Sequence, residues 1–133
     1  MQAINWWAIL IATVSNFIVG GMWYSPALFI KSWLEMSEVS KSTFDAGLPK
    51  ALVGDFFTSI ALALGLSQVL RLSDAVDLGR GLFVTLWLWL AFVVPILIGS
   101  VTYEHRPLQY FAINAGYRLV SMVVMGAVLT LWR

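Results

Sequence analysis

Four long apolar runs divide the chain, at 6–23, 48–70, 82–101 and 108–132. Each is close to or above the roughly 20 residues that a helix needs to cross a bilayer. The pattern therefore predicts an all-α integral membrane protein, a bundle of four transmembrane helices forming one domain over residues 1–133. Pro49 and Pro107 fall at first-turn positions of the second and fourth runs, where a missing N–H costs nothing. Between the first two runs, Pro26, Phe29, Ile30, Trp33 and Leu34 share one helical face, and Lys31, Ser32, Glu35 and Glu38 the other. That segment predicts a short interfacial amphipathic helix. Ser37 to Gly47 is polar and reads as a solvated loop. Arg71 to Arg80, with Asp74, Asp77 and Gly79, reads as a tight turn, and Thr102 to Pro107 is shorter still.

Composition sharpens this picture. Of 133 residues, 60% are hydrophobic and 11% charged, against roughly a quarter charged in ordinary soluble domains. A net charge of +1 provides no basic field for nucleic acid, and a chain without cysteine has neither disulfides nor thiol chemistry. No Lys or Arg precedes the first run and no small-residue cleavage pattern follows it, so it reads as a retained helix. Interface aromatics sort Trp6, Trp7 and Trp132 to one membrane face and Trp23, Tyr24, Trp33, Tyr103 and Tyr110 to the other. Both termini then share a side. Basic residues do not decide the orientation: Arg71, Arg80 and Arg133 stand against Lys31, Lys41, Lys50 and Arg106. Dual topology stays open, and the lysine-bearing loop is read as cytoplasmic.

Two full charges interrupt the apolar runs, Asp55 in the second and Arg118 in the fourth. A charge at mid-helix costs about 2.5–3.5 kcal/mol to insert, so each is expected to face a partner or water. At about 1.5 Å per residue they lie roughly 10 and 15 Å below the same face, within reach of a long Arg side chain. Asn16 and Asn114 fall at a similar depth, and Pro95 breaks the hydrogen-bond ladder of the third helix there. Asn114, Tyr117, Arg118 and Ser121 share one face of the last helix. Ala8, Ala12, Asn16 and Gly20 on the first helix, and Asp55, Ser59, Ala63 and Ser67 on the second, form small-residue stripes that permit close approach.

Two readings compete for this cluster. As packing glue it repays its insertion cost poorly, since an interhelical bond in a membrane averages about 0.6 kcal/mol. The functional reading is a polar cavity in which Asn16, Asp55, Asn114, Tyr117 and Arg118 bind or pass a polar or anionic small solute or a lipid headgroup. Trp23, Tyr24, Glu104, His105 and Arg106 would form its mouth. No metal is expected, because Glu104 and His105 alone cannot complete a site that needs three or four protein ligands. No cofactor loop, zinc motif or nucleophile elbow is present, so an enzyme is disfavoured. Its residual form is a lipid- or quinone-acting one using Glu104, His105 and Tyr117. The other alternative is an accessory or assembly subunit whose small-residue stripes dock another membrane protein.

The segments Asn5-Trp6, Gly20-Gly21-Met22-Trp23-Tyr24-Ser25-Pro26, Arg106-Pro107-Leu108 and Asn114-Ala115-Gly116-Tyr117 resemble a family of small bacterial membrane proteins. It is catalogued as the domain of unknown function seventeen-sixty-one. The resemblance covers essentially the whole chain and implies a four-helix protein of the bacterial plasma membrane, without assigning catalytic or binding residues. Small multidrug transporters share the size, but their first helix carries a membrane Glu where this one offers Asn16. The glycine-rich arginine motif of fluoride channels is not evident. Four helices enclose little space, so a homodimer in the bilayer is expected.

Overall fold

The computed structural model describes residues 3–132; Arg133, counted above with the basic groups, lies outside them. Five helices follow in order: α1 (Trp6–Trp23), α2 (Ile30–Ser37), α3 (Lys41–Leu72), α4 (Leu78–Thr102) and α5 (Leu108–Leu131). All but α2 are long and apolar enough to cross a membrane, and no strand occurs among the described residues. The chain is an all-α protein of the membrane-spanning class.

Local chemistry sets the ends. Asn5 caps α1 by accepting from the Ala8 N–H at 3.2 Å, and Asp77 caps α4 by accepting from the Arg80 N–H at 2.9 Å. These side chains satisfy amides that have no partner inside the helix. At the end of α3, Asp74 turns left-handed with φ 53°. The Ala75 N–H then reaches back to the Leu70 carbonyl and the Asp74 N–H to that of Arg71, each at 3.0 Å, closing a Schellman motif.

Two sequence expectations change here. The segment read as a solvated loop up to Gly47 is helical from Lys41, because Ser40 accepts from the Thr43 N–H at 3.2 Å and starts α3 there. Pro49 consequently lies inside α3. Its missing donor would have served the carbonyl of Asp45, an exposed residue in the first turns of the helix. With 32 residues, α3 is about 48 Å long, well beyond a hydrocarbon core of about 30 Å. The second change is in α4, which widens into a π turn over Trp89–Val93 just before Pro95. A proline cannot continue the regular ladder, and the Val94 N–H bonds five residues back, to the Trp89 carbonyl.

Helix α5 is the hub. It packs against α1 and α4 and also touches α3, while α3 and α4 meet each other only sparsely. The α4–α5 contact is a reciprocal seam: Gly81 and Thr85 lie one turn apart on α4, Gly126 and Thr130 on α5. A methyl on Gly81 would overlap Thr130, and one on Gly126 would overlap Thr85. Small residues on both helices let the backbones close, as membrane helices require in the absence of a hydrophobic drive between them. Thr85 settles its hydroxyl on the Gly81 carbonyl at 2.8 Å, whereas the buried Thr130 hydroxyl has no partner among the described residues.

One end of the bundle is filled. Ala8, Ile9, Ala12, Ala63, Leu66, Leu70, Met125 and Leu129 form a closed apolar core there. Outward-facing Ile18, Phe57, Phe83, Trp87, Phe92 and Ile96 remain exposed on the single chain. Such a surface belongs in lipid rather than water. The opposite end carries the polar residues and does not close.

Candidate functional site

Asn16 is fully buried where α1, α3 and α5 meet. Its side-chain N–H donates to the Ser59 hydroxyl at 2.6 Å. Its side-chain oxygen accepts from the Tyr117 hydroxyl at 3.0 Å and from the Ser121 hydroxyl. Both carbonyl lone pairs and one amide proton are thereby used. Asn16 is a three-helix pin and is absent from the cavity lining, in contrast to its expected place among the ligand candidates.

Above this pin the α1 and α5 segments interlock residue by residue. Tyr117 lies over Gly20, where an added β-carbon would stand 3.1 Å from its hydroxyl oxygen. The Trp23 indole N–H donates to the Ile113 carbonyl at 2.9 Å, and its ring lies close enough to Gly116 that a β-carbon there would meet it at 3.0 Å. Tyr24 donates to the side-chain oxygen of Asn114 at 2.7 Å. Burial, with Tyr117 alongside, raises the Tyr24 phenol above its ordinary value, so it stays a donor. From the other side the Trp89 indole N–H donates to the Ala115 carbonyl at 2.9 Å and anchors the π turn of α4.

The space left at this end is a cavity of about 710 Å³, within the usual range of about 300–1,000 Å³ for small-molecule sites. Its walls are Phe17, Gly20, Gly21 and Tyr24 from α1 and its end, Trp33 from α2, and Phe44, Leu48, Ala51, Leu52 and Asp55 from α3. Leu97 of α4 and Asn114, Tyr117 and Arg118 of α5 complete it. Most of the wall is aromatic or aliphatic. The charges are Asp55 and Arg118, both half-buried. The Arg118 guanidinium lies 4.8 Å from the centroid of the Tyr117 ring, a cation–π arrangement. It does not close into an ion pair with Asp55 among the described residues. Asp55 receives the Thr58 hydroxyl, 3.0 Å from its carbonyl and 3.5 Å from its carboxylate.

Helix α2 covers one side. Trp33 packs edge-on to Tyr24 and Phe44, with centroids 6.1 and 5.7 Å away, and stacks on Tyr110 at 6.3 Å. Arg106 ties α2 down, donating to the Met36 carbonyl at 2.9 Å with the Glu38 carboxylate 3.6 Å away. A second, smaller hollow of about 260 Å³ opens beside the first. Thr58 and Leu62 of α3, Phe92, Val93, Ile96 and Leu97 of α4, and Arg118 and Met122 of α5 line it.

Of the residues expected at the site, the structure brings Asp55, Asn114, Tyr117 and Arg118 into one cavity, with Tyr24 at its wall. Trp23 is engaged with α5 instead. Glu104 and His105 sit exposed on the α4–α5 connection, with His105 left-handed at φ 56°. Arg106 acts on α2 rather than on the cavity. Reading by depth missed Phe17, Leu48 and Leu97, apolar residues that nothing in an apolar sequence distinguishes from lipid-facing ones, and also Trp33 and Phe44, which lie in the segments read as an interfacial helix and a solvated loop.

Together, the bundle and its half-open end define a four-helix membrane-spanning protein with a charged, largely apolar cavity. The chain belongs to the family described as Protein of unknown function (DUF1761), whose model matches residues 7–130. No curated protein and no solved structure matches the chain.

Proposed function

We propose that this protein binds a small solute or lipid headgroup that is anionic or polar at one end, holding or passing it at Arg118 inside the bilayer. One observation carries the reading: Arg118 faces a cavity of about 710 Å³ without closing on Asp55. An arginine in a membrane helix is expensive unless something answers its charge. Tyr117 answers it only through a ring face, and Asn16, which packing glue would need, is already satisfied elsewhere. Tyr24 and Asn114 offer further polar atoms, and the apolar walls suit the remainder of an amphiphile. The small-residue stripes that a docking scaffold would expose are spent inside the chain: Ala8, Ala12, Ser59, Ala63 and Ser67 are all buried.

In this reading the chain works in the bacterial plasma membrane as a homodimer. Four crossings support placing both termini on one side. The test is binding of dodecyl phosphate and of dodecyltrimethylammonium to the protein in lipid nanodiscs. The expected result is that the anion binds, the cation does not, and Arg118→Gln weakens the anion at least about tenfold, the equivalent of about 1.4 kcal/mol. Equal binding of both amphiphiles, or of the anion to both proteins, overturns the reading.

A further inference from the structure

We infer that the ligand is an acyl or alkyl amphiphile whose tail leaves the cavity sideways through the slot between α3 and α4; this rests on the reading of Arg118 as the anion site. Arg118 and Leu97 each line both hollows, so the guanidinium stands at the junction between them. The second hollow exists because α4 packs on α5 and barely on α3. It also lies deeper in the bundle. Thr58 and Leu62 continue α3 one and two turns past the level of Asp55, and Met122 lies one turn past Arg118. An amphiphile seated this way has its charged end among Arg118, Tyr24 and Asn114, and its tail running toward the middle of the bilayer, the orientation of a lipid in its own leaflet.

The outer rim of the slot supports the same occupant. Phe92 and Ile96 are 64% and 75% exposed on the single chain, so the hollow is open to hydrocarbon along its length. A free hydrophilic anion would gain nothing from such a wall, whereas each methylene moved along it stays in an apolar environment. The π turn widens α4 at this level, over Trp89–Val93.

The experiment compares butyl and dodecyl phosphate on the protein in nanodiscs, for the wild type, Arg118→Gln and Leu62→Trp, the last filling the slot without touching the first cavity. The expected result is that Arg118→Gln weakens both ligands, while Leu62→Trp leaves butyl phosphate unchanged and weakens dodecyl phosphate at least about tenfold. Unchanged dodecyl binding by Leu62→Trp overturns the lateral tail and leaves the anion site standing. Unchanged butyl binding by Arg118→Gln removes the anion site itself. Should Leu62→Trp fail to fold, a fluorophore on Thr58→Cys, in a chain that otherwise has no cysteine, gives a second readout. A dodecyl phosphate brominated along its chain quenches it if the tail lies in the slot, and absence of quenching at saturation overturns the inference.

Discussion

Tyr117 is seated on Gly20: a β-carbon at residue 20 would stand 3.1 Å from the tyrosine hydroxyl oxygen. That hydroxyl in turn reaches Asn16, so one ring both braces the three-helix pin and forms the cavity wall. Gly20→Ala is expected to push the ring toward Arg118 at a cost of about 1–3 kcal/mol, the usual range for overpacking. Gly21→Ala, with nothing within 4 Å of the added carbon, stays within about 0.5 kcal/mol. Thermal unfolding of the two variants in detergent compares them directly, and equal losses would contradict the seating.

The Asn16 pin makes an asymmetric prediction. Asn16→Ala leaves the Tyr117 hydroxyl only the backbone carbonyl of residue 16, at 3.4 Å, and the Ser121 hydroxyl only the Met125 sulfur, at 3.7 Å, at a cost of about 1–3 kcal/mol. Ser59→Ala removes one interhelical bond and leaves one Asn16 amide N–H without its acceptor, a smaller loss of about 0.6–1.7 kcal/mol. Equilibrium unfolding in mixed micelles distinguishes them, and a larger loss for Ser59→Ala would show that the pin is assigned to the wrong centre.

The Gly–Thr seam predicts rescue. Gly81→Ala alone forces α4 away from Thr130. Thr130→Ala alone is nearly silent, since its hydroxyl has no partner among the described residues to lose. The double variant recovers part of the stability, since the β-carbon of residue 130 would still stand 2.9 Å from the added methyl, with a coupling of about 0.5–3 kcal/mol between the two positions. Additive effects in a double-mutant cycle would rule out the close contact.

The tie between Arg106 and α2 divides unequally. Glu38 is 82% exposed, and Glu38→Gln is expected to change stability by less than about 0.5 kcal/mol, as for surface ion pairs generally. Arg106→Gln loses a charge-assisted bond to a backbone carbonyl, worth about 1.5–3 kcal/mol. Helix α2 then lifts more often. Maleimide labelling of a single cysteine at the cavity wall, Leu48→Cys, reports the lifting and should accelerate about tenfold or more in the Arg106→Gln background. No acceleration would mean that Trp33 and its aromatic neighbours hold α2 unaided.

Hydropathy makes the number of crossings legible, because the cost of burying polar backbone in lipid forces long apolar helices wherever a chain spans. Depth is legible for the same reason. Counting residues from the helix ends places Asp55, Asn114 and Arg118 at one level, and the structure finds them around one cavity. Rotation is what the pattern hides. In water an apolar stripe marks the inner face, but in lipid both faces are apolar, so Asn16 could be placed by depth yet not by direction. The seam was hidden similarly: Gly81 falls between the tight turn and the third apolar run, and nothing marks its partner until Thr130 is seen against it. The early start of α3 is signalled only by Ser40, a capping residue that a hydropathy scan passes over.

Because a π turn adds one residue to the winding, everything in α4 beyond Val93 is rotated by about 100° relative to a regular helix. The helix thus carries two independent registers on one continuous rod. Its first half is keyed to α5 through Gly81 and Thr85, while its second half presents Leu97 to the cavity. Substitutions beyond the turn can therefore reshape the cavity wall at Leu97 without disturbing the Gly81 and Thr85 contact with α5.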